Sequence, residues 1–268
     1  MKIVSANLNG IRSAANKGFF SWASAQHIDA LGVQEVKAQA ADLTLDLTQV
    51  QDSVSSNLLT GDFHFAQKKG YSGVGLYTHV QPSDVLVGIG NEEFDFEGRW
   101  IEKRFDKPGR KLSLISSYFP SGSSSDERQS AKFRFLDLMT ERLKELAGER
   151  EFVLMGDINI AHQNLYLKNW KSNLTNSGFT PEERQWMTNT LSATPLVDVY
   201  RQLYPLASET CYTWWSQRGQ AYAKNVGWRI DYQLATPGLA KGALKASVFK
   251  EEKFSDHAPL LIDYDWSI

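Results

Sequence analysis

Two short stretches of the sequence carry side chains that could do chemistry together. Asp157 and Asn159 follow the apolar run 152–155, and Asp256 and His257 precede the last apolar segment. In extended chain, a spacing of two puts the Asp157 carboxylate and the Asn159 carboxamide on the same side, at the mouth of a sheet. Polar groups that end a buried strand are costly unless something binds there. An Asx turn at the strand end is the ordinary alternative, and the first stretch alone leaves both interpretations open.

Further polar residues follow or begin predicted strands, namely Asn7, Asn9, Glu35, Tyr118 and Asp231. Carboxylate and amide oxygens without a Cys/His cluster are hard ligands, which favour Mg²⁺ or Mn²⁺ over zinc. Because Mg²⁺ is usually held by one or two carboxylates and by substrate phosphate oxygens, this set indicates phosphate chemistry. Asp157 near Asn159 could align or deprotonate a water, and His257 could bond a phosphate if a carboxylate such as Asp231 fixed its tautomer. For a lone Glu a solvated strand end, and for a lone His a structural role, are the ordinary alternatives.

Short apolar strands must position these residues. The hydrophobic pattern predicts strands at 3–5, 30–33, 72–78, 85–89, 100–105, 112–118, 152–156, 229–235 and 259–264. A helix is predicted over 11–26, whereas the polar segment 38–62 is ambiguous. Many short strands with few helices predict an α+β fold in which two packed sheets carry helices outside. No repeat or linker divides the chain, so a single domain over 1–268 is expected.

Capping signals predict the starts of two later helices. Ser124 and Glu127 have the spacing of a capping box, and the long helix that follows is expected to end at Gly148. Thr180 and Glu183 form a second capping box, with a proline at the first helical turn.

Composition limits the class of protein. A net charge of −2 excludes a general polyanion binder, so a nucleic-acid partner would need a localised basic patch. The single cysteine, Cys211, excludes an intramolecular disulfide and fits a reducing compartment. Because no signal peptide or membrane-spanning segment is visible, we expect a soluble, cytoplasmic protein without a membrane partner.

Taken in order, the motifs resemble those of the exonuclease III family of apurinic/apyrimidinic (AP) endonucleases. The resemblance covers essentially the whole chain, and the matching stretches are 7–12, 34–37, 71–75, 97–99, 118–120, 156–159, 227–232 and 255–257. It implies a four-layer sandwich, with two mixed sheets face to face and helices outside. It also implies that Mg²⁺, or alternatively Mn²⁺, assists hydrolysis of the phosphodiester 5′ to an abasic sugar and leaves a 3′-hydroxyl. 3′-Phosphodiesterase and 3′→5′ exonuclease activities would accompany this reaction.

The resemblance also implies roles for individual residues. It assigns the metal to Glu35, with Asn9 and Asp256 nearby. It assigns the attacking water and the scissile phosphate to a second group, which comprises Asp157, Asn159, His257, Asp231, Tyr118 and Asn7. Whether Asp157 acts as the base or aligns the water stays open, as does the number of metal ions.

The substrate-facing residues implied by the resemblance form two groups. Trp214, Trp228 and Ile230 match an apolar pocket for the flipped-out abasic sugar, because a dry aromatic slot excludes a sugar that still carries its base. Ordinary core packing is the alternative for these three. A DNA-contacting loop is the second group, with side chains suited to phosphate contacts, and it contains Lys168, Lys171, Ser172, Asn173 and Asn176. The expected partner is double-stranded DNA with abasic sites or blocked 3′ ends, bound by a monomer.

Some positions depart from the family pattern. Asn9 stands where many relatives have Asp, and Ser121 where some place Asn. The stretch 122–125 lacks an Arg that could enter the duplex, so the mode of DNA distortion is open.

Three alternatives remain at this stage. The chain could be mainly a 3′→5′ exonuclease or 3′-end-cleaning enzyme. The same fold could act on another phosphodiester, such as undamaged DNA, inositol phosphates or sphingomyelin. A non-catalytic DNA-binding protein would require the loss of a catalytic group, and none is missing.

Overall fold

The computed structural model describes all of residues 1–268. The strands are, in chain order, β1 (Lys2–Asn7), β2 (Ala30–Gln34), β3 (Gln49–Gln51), β4 (Leu58–His64), β5 (Val74–Thr78), β6 (Asp84–Val87), β7 (Trp100–Arg104), β8 (Leu112–Tyr118), β9 (Glu151–Asp157), β10 (Val197–Asp198), β11 (Trp214–Trp215), β12 (Gly227–Trp228), β13 (Asp231–Ala235), β14 (Ala243–Val248) and β15 (Leu260–Tyr264). The α-helices are α1 (Ile11–Asn16), α2 (Phe19–Ser24), α3 (Leu45–Thr48), α4 (Glu92–Asp95), α5 (Asp126–Glu149), α6 (Pro181–Ala193), α7 (Val199–Leu203) and α8 (Pro237–Lys241). Short 3₁₀ turns lie at Ala40–Asp42, Asn164–Tyr166 and Trp170–Ser172.

Two mixed sheets pack face to face. The first has the strand order β14-β15-β1-β2-β5-β4-β3, and the second has the order β10-β13-β9-β8-β7-β6. Apolar side chains from both inner faces form one core, to which β1 contributes Ile3 and β9 contributes Val153 and Met155. A Cβ on Gly32 would lie only 2.6 Å from the sulfur of Met155, so β2 needs glycine where the sheets approach most closely.

Helices cover both outer faces and complete a four-layer sandwich. The apolar face of α5, with Phe135, Met139 and Leu143, packs on the outer side of the second sheet. Phe19 and Trp22 of α2 belong to a separate cluster on the outer side of the first sheet. The predicted α+β arrangement of two sheets flanked by helices is confirmed. None of the helices is both long enough and apolar enough to cross a membrane.

The predicted strands are all present, whereas several helix boundaries were wrong. The helix expected over 11–26 is two helices, because Gly18 between α1 and α2 has a left-handed φ of 87°. The long helix begins one residue later than expected, because Ser125 and not Ser124 accepts from the Arg128 amide. Gly148 lies inside that helix and is not its cap. The capping box formed by Thr180 and Glu183 is confirmed, with both reciprocal hydrogen bonds.

Candidate active site

All the strands that carry site residues present them at one edge of the sandwich. The parallel strands β1 and β2 end at Asn7 and Gln34, and the parallel strands β8 and β9 end at Tyr118 and Asp157. Strand β13 runs antiparallel to β9, so its first residue, Asp231, pairs directly with Asp157. Strand β15 runs antiparallel to β1, which puts the residues before it at the same edge. The sequence-predicted site is therefore assembled from both sheets.

The Asp157–Asn159 turn is tightly fixed. The Asn159 amide donates to Asp157 Oδ1 at 2.9 Å, which is the Asx turn that the sequence left as an alternative. Asn159 has a φ of 56°, and its side-chain amide donates to the Phe119 carbonyl at 2.9 Å. Asn tolerates this left-handed conformation better than most residues. The Asx turn and a functional role are thus compatible, since the turn holds the Asn159 carboxamide oxygen free toward the cleft.

Asn7 joins two carboxylates of the site. Its side-chain amide donates to Glu35 Oε1 at 2.9 Å and to Asp157 Oδ2 at 3.0 Å, while its oxygen accepts from the Asn9 amide at 3.0 Å. Asn7 is 2% exposed. Because both N–H donors are used, Asn7 fixes the spacing of Glu35 and Asp157.

His257 lies between two aspartates. Its Nδ1 is 2.9 Å from Asp231 Oδ2, and its Nε2 is 3.8 Å from Asp157 Oδ2. Burial alone would lower the pKa of His257, but the charges of Asp231, Asp157 and Asp256 outweigh it and raise that pKa to about 10. The imidazole is therefore protonated at neutral pH, so Nε2 carries a proton that it can donate toward the cleft.

The pKa of Asp157 is raised, as is that of His257, but for a different reason. Burial raises the pKa of Asp157 to about 8, and the nearby carboxylates of Asp231 and Glu35 add to this shift against the opposing charge of His257. A carboxyl group whose pKa lies near neutral can take and release a proton at working pH.

Glu35 and Asp157 could hold a divalent cation. One carboxylate oxygen from each lies within 4.8 Å of the other and of a ring nitrogen of His257, but the protonated imidazole has no lone pair to offer a metal. Glu35 has a φ of 51°, a left-handed conformation that is uncommon for a residue other than glycine. Carboxylate oxygens without a thiolate suit a hard cation, so these residues fit the metal that the motifs imply.

Asn9 and Asp256, the other predicted metal neighbours, bond chiefly to each other and to flanking side chains. Asn9 Nδ2 donates to Asp256 Oδ1 at 2.8 Å, and Trp214 Nε1 donates to Asp256 Oδ2 at 3.2 Å. Asp256 lies outside the cluster formed by Glu35, Asp157 and His257.

Lys37 also lies in the site, although its place in the stretch 34–37 indicated no role for it. Its ammonium lies 2.6 Å from Glu35 Oε2 and donates to Asn9 Oδ1 at 2.5 Å. Burial would raise the pKa of Glu35, but the charge and hydrogen bond of Lys37 and the hydrogen bond from Asn7 lower it. The available signal was a lysine two residues after the glutamate predicted to bind the metal.

A buried arginine, Arg99, contacts both the ring and the backbone carbonyl of Tyr118. The Arg99 guanidinium lies 4.9 Å from the Tyr118 ring centroid and donates to the Tyr118 carbonyl at 2.9 Å. Burial raises the pKa of Tyr118 well above its usual value, and Glu35 and Asp157 act in the same direction. The phenol therefore stays protonated and can donate a hydrogen bond.

The predicted pocket residues line the same cleft as Asp157 and His257. Trp214 pairs with Trp228 between β11 and β12, and their rings meet edge to face at 6.1 Å and 84°. With Ile230 they line a cleft of about 1030 Å³ that also contains Asp157 and His257. Both tryptophans are partly buried and pack against the core cluster that contains Ile230, so their placement is compatible with core packing as well as with a pocket wall.

Most of the predicted DNA loop also lines this cleft. Lys168, Ser172, Asn173 and Asn176 do so, whereas Lys171 does not and instead lies over the Trp170 ring. Asn176 donates to Asn173 Oδ1 at 2.7 Å, and Lys168 forms an ion pair with Glu209. The serine-rich stretch 121–125 also lines the cleft.

A buried arginine, Arg229, lies between Trp228 and Ile230 and fixes the pocket segment. Arg229 makes two hydrogen bonds to Asp198, at 2.7 and 2.5 Å, and its amide donates to the Tyr166 carbonyl at 2.7 Å. The tyrosines of its aromatic cage, Tyr166, Tyr200 and Tyr232, lie between 4.3 and 5.3 Å from the guanidinium. Nothing in sequence spacing indicates such a cage.

The fold and the edge site define a class of protein. Residues 4–257 match the Endonuclease/Exonuclease/phosphatase family, and the chain belongs to that family. It is a phosphodiester-hydrolysing nuclease.

Similar proteins place the chain in a narrower group within this family. The chain is 35% identical over 261 residues to an exodeoxyribonuclease of Bacillus subtilis (strain 168), covering 97% of this chain and 98% of that protein. It is 34% identical over 262 residues to the DNA repair nuclease APEX1 of Danio rerio, covering 98% and 81%. The AP endonuclease LMAP from Leishmania major has a solved structure with a TM-score of 0.84 at 27% identity, covering 97% of this chain and 86% of that one. Within its family, the chain is thus one of the exonuclease III and AP endonuclease proteins, as its motifs indicated.

Proposed function

We propose that this nuclease incises DNA at abasic sites. It would hydrolyse the phosphodiester 5′ to the abasic sugar with the help of Mg²⁺ and leave a 3′-hydroxyl, with 3′-phosphodiesterase and 3′→5′ exonuclease action as lesser activities. The observation that carries the proposal is the half-buried pair Trp214 and Trp228, which lines the cleft beside Asp157 and His257. An apolar slot next to phosphate chemistry suits a sugar that has lost its base.

The proposed roles follow from the contacts of each side chain. Asp157, held by Asn7 and by the Asn159 amide, accepts a proton from the attacking water. Asn159 orients that water through its carboxamide oxygen, since its nitrogen is committed to Phe119. His257 donates from Nε2 to a phosphate oxygen, because Nδ1 is committed to Asp231.

Two further groups, a phenol and a metal ion, would stabilise the negative charge of the phosphate. Tyr118 donates its phenolic proton to a phosphate oxygen. Glu35, with Asp157 at hand, would hold the Mg²⁺ ion, and Mn²⁺ could replace it. When bound, the ion neutralises negative charge on the phosphate and the leaving oxygen.

The second candidate keeps the site and changes the main substrate to a 3′ end. The similarity to a relative named exodeoxyribonuclease supports it. Against it, Ser172 is small and lines the cleft near the pocket, which leaves room for an extruded sugar. A non-catalytic DNA-binding role is disfavoured, because the carboxylates and the imidazole expected for hydrolysis lie within reach of one another.

Two labelled duplexes test the proposal, one with an internal abasic site and one with a blocked 3′ terminus. Trp228→Ala and Ser172→His should reduce abasic-site incision more than removal of the blocked end, because end removal needs the phosphate site but less of the pocket. Trp266→Ala is the matched control, since Trp266 is also half-buried but lies beyond the end of β15, away from the cleft. Equal losses on both duplexes would mean that the two residues only support the fold.

A further inference from the structure

A fully buried ion pair lies beneath the catalytic turn, and no proposed step uses it. Lys132 of α5 and Glu183 of α6 are each 0% exposed, and Lys132 Nζ lies 2.6 Å from Glu183 Oε1. Lys132 belongs to the face of α5 that otherwise carries Phe135 and Met139 toward the core. Removing two charges from water carries a desolvation penalty that their attraction often does not repay, so stability alone gives no reason to keep the pair.

Lys132 also bonds directly to the catalytic turn. Its ammonium donates to the backbone carbonyl of Asn159 at 2.7 Å. The side chain of Asn159 is fixed from the other side by its bond to the Phe119 carbonyl. Asn159 therefore has its left-handed backbone held on one side by a lysine and its carboxamide on the other by a strand end.

Glu183 extends the same network to two other segments that line the cleft, the end of the DNA-facing loop and the serine-rich stretch 121–125. Its Oε2 accepts from the amides of Gly178 and Thr180 at 2.7 and 3.0 Å, and its Oε1 accepts from Ser177 Oγ at 3.3 Å. Ser177 Oγ in turn accepts from the Gly122 amide at 3.2 Å, at the start of the serine-rich stretch. One carboxylate thus links the end of the DNA-facing loop, the serine-rich stretch and, through Lys132, the Asp157–Asn159 turn.

We propose that Lys132 and Glu183 are positioning residues that hold Asn159 in the orientation needed for hydrolysis. The inference rests on the role proposed above for Asn159, but not on which DNA substrate is preferred. A buried charge-assisted bond to a single carbonyl restricts the turn more than apolar packing would, because the carbonyl has one favourable direction toward the ammonium. A displacement of about 1 Å in a reacting group can lower a rate about a hundredfold.

The first test is Lys132→Met, which keeps the length of the side chain and removes its charge. With enzyme in excess over either labelled duplex in saturating Mg²⁺, we expect the single-turnover rate to fall by about tenfold to a hundredfold. DNA affinity and melting temperature are measured on the same preparation, so that a loss of rate is not confused with weaker binding or with unfolded protein.

Lys103→Met is the matched control. Lys103 is a buried lysine that also pairs with a carboxylate, Asp62, and donates to a backbone carbonyl, that of Thr60. It also contacts Thr78, which pairs with the first residue of β2, at the end of the sandwich opposite the site. Lys103→Met should destabilise the protein while leaving the single-turnover rate nearly unchanged.

A double-mutant cycle with Asn159→Ala separates positioning from general support. If Lys132 acts through Asn159, Lys132→Met should change the rate by less than about twofold once the Asn159 carboxamide is gone. Equal losses in both backgrounds would overturn the proposal. Full activity of Lys132→Met beside a slow Asn159→Ala would overturn it too, while the role of Asn159 would stand. Full activity of Asn159→Ala would refute that role and the inference with it.

A second variant covers the case in which Lys132→Met does not fold. Lys132→Met combined with Glu183→Gln removes both charges, so no uncompensated carboxylate stays buried. Gln at the third helical position still completes a capping box. This variant should fold and show the same rate loss, and a folded variant with the parent rate would contradict the proposal.

Discussion

His257 Nδ1 lies 2.9 Å from a carboxylate oxygen of Asp231, and this contact decides what the other ring nitrogen can do. With Nδ1 committed, Nε2 is the nitrogen that faces Asp157 and the cleft. Asp231 is 1% exposed, and against the lowering effect of burial its charge contributes most to the raised pKa of His257. The pair therefore supplies a proton donor of fixed direction at the point where the two sheets meet.

The first prediction concerns Asp157 and His257 as catalytic groups. Asp157→Asn and His257→Ala should each lower single-turnover incision by about 10²–10⁴, the range typical of general acid–base groups. Duplex binding should be retained. His162→Ala is the matched control for the imidazole, because His162 bonds to Thr188 and does not line the cleft. A loss below about tenfold for both site variants would remove them from the mechanism.

Asp157 should also lower the stability of the folded protein at neutral pH. Its pKa is about 8 when folded, whereas an unfolded Asp loses its proton near pH 4. Between about pH 4 and pH 8 the folded state holds a proton on Asp157 that the unfolded state has lost, so the free energy of unfolding falls as the pH rises. Asp157→Asn removes this loss and should therefore raise the melting temperature at pH 7 in EDTA. The difference from the parent should vanish as the pH falls toward 4. A variant that is less stable than the parent at pH 7 would contradict this sign.

Metal binding should depend on Glu35 more than on Asp256. Glu35→Gln should raise the Mg²⁺ concentration for half-maximal activity, because Glu35 belongs to the cluster of possible ligands. Asp256→Asn should shift the titration less, since Asp256 lies outside that cluster. Isothermal titration with Mg²⁺ in the absence of DNA checks the order independently of turnover. If the Glu35→Gln and parent curves superimpose, the ion lies elsewhere.

Lys168 should contribute to DNA affinity and Lys171 much less. Lys168 lines the cleft, whereas Lys171 lies over Trp170 outside it. Lys168→Ala should weaken duplex binding and reduce the slope of log K against log salt by about 1, as expected for one lost phosphate contact. Glu209→Gln should strengthen binding at low salt, because it frees Lys168 from its ion pair. Equal slopes for the two lysine variants would place the phosphate contacts on another part of the loop.

Strand-forming segments were predictable because each carries a local apolar run. Val74–Thr78, Leu112–Tyr118 and Glu151–Asp157 contain such runs and were found with small boundary differences. The short segments Gln49–Gln51 and Leu58–His64 were ambiguous, since they lie at a sheet edge and alternate between exposed and covered positions. Helix ends were less predictable, because adjacent serines compete for the cap and only the folded backbone decides between them.

By itself the sequence determined which chemical groups are available and where along the chain strands end beside them. Asp157, Asn159 and the residues before β15 could be identified because they belong to short motifs whose order along the chain can be read directly from the sequence. Only the tertiary structure decided which of these groups meet. Asn7 bridges Glu35 and Asp157, Lys37 neutralises Glu35, and Lys132 reaches the Asn159 carbonyl. These contacts join residues far apart in the chain, and they depend on the register of paired strands and on how the helices pack, neither of which a local pattern encodes.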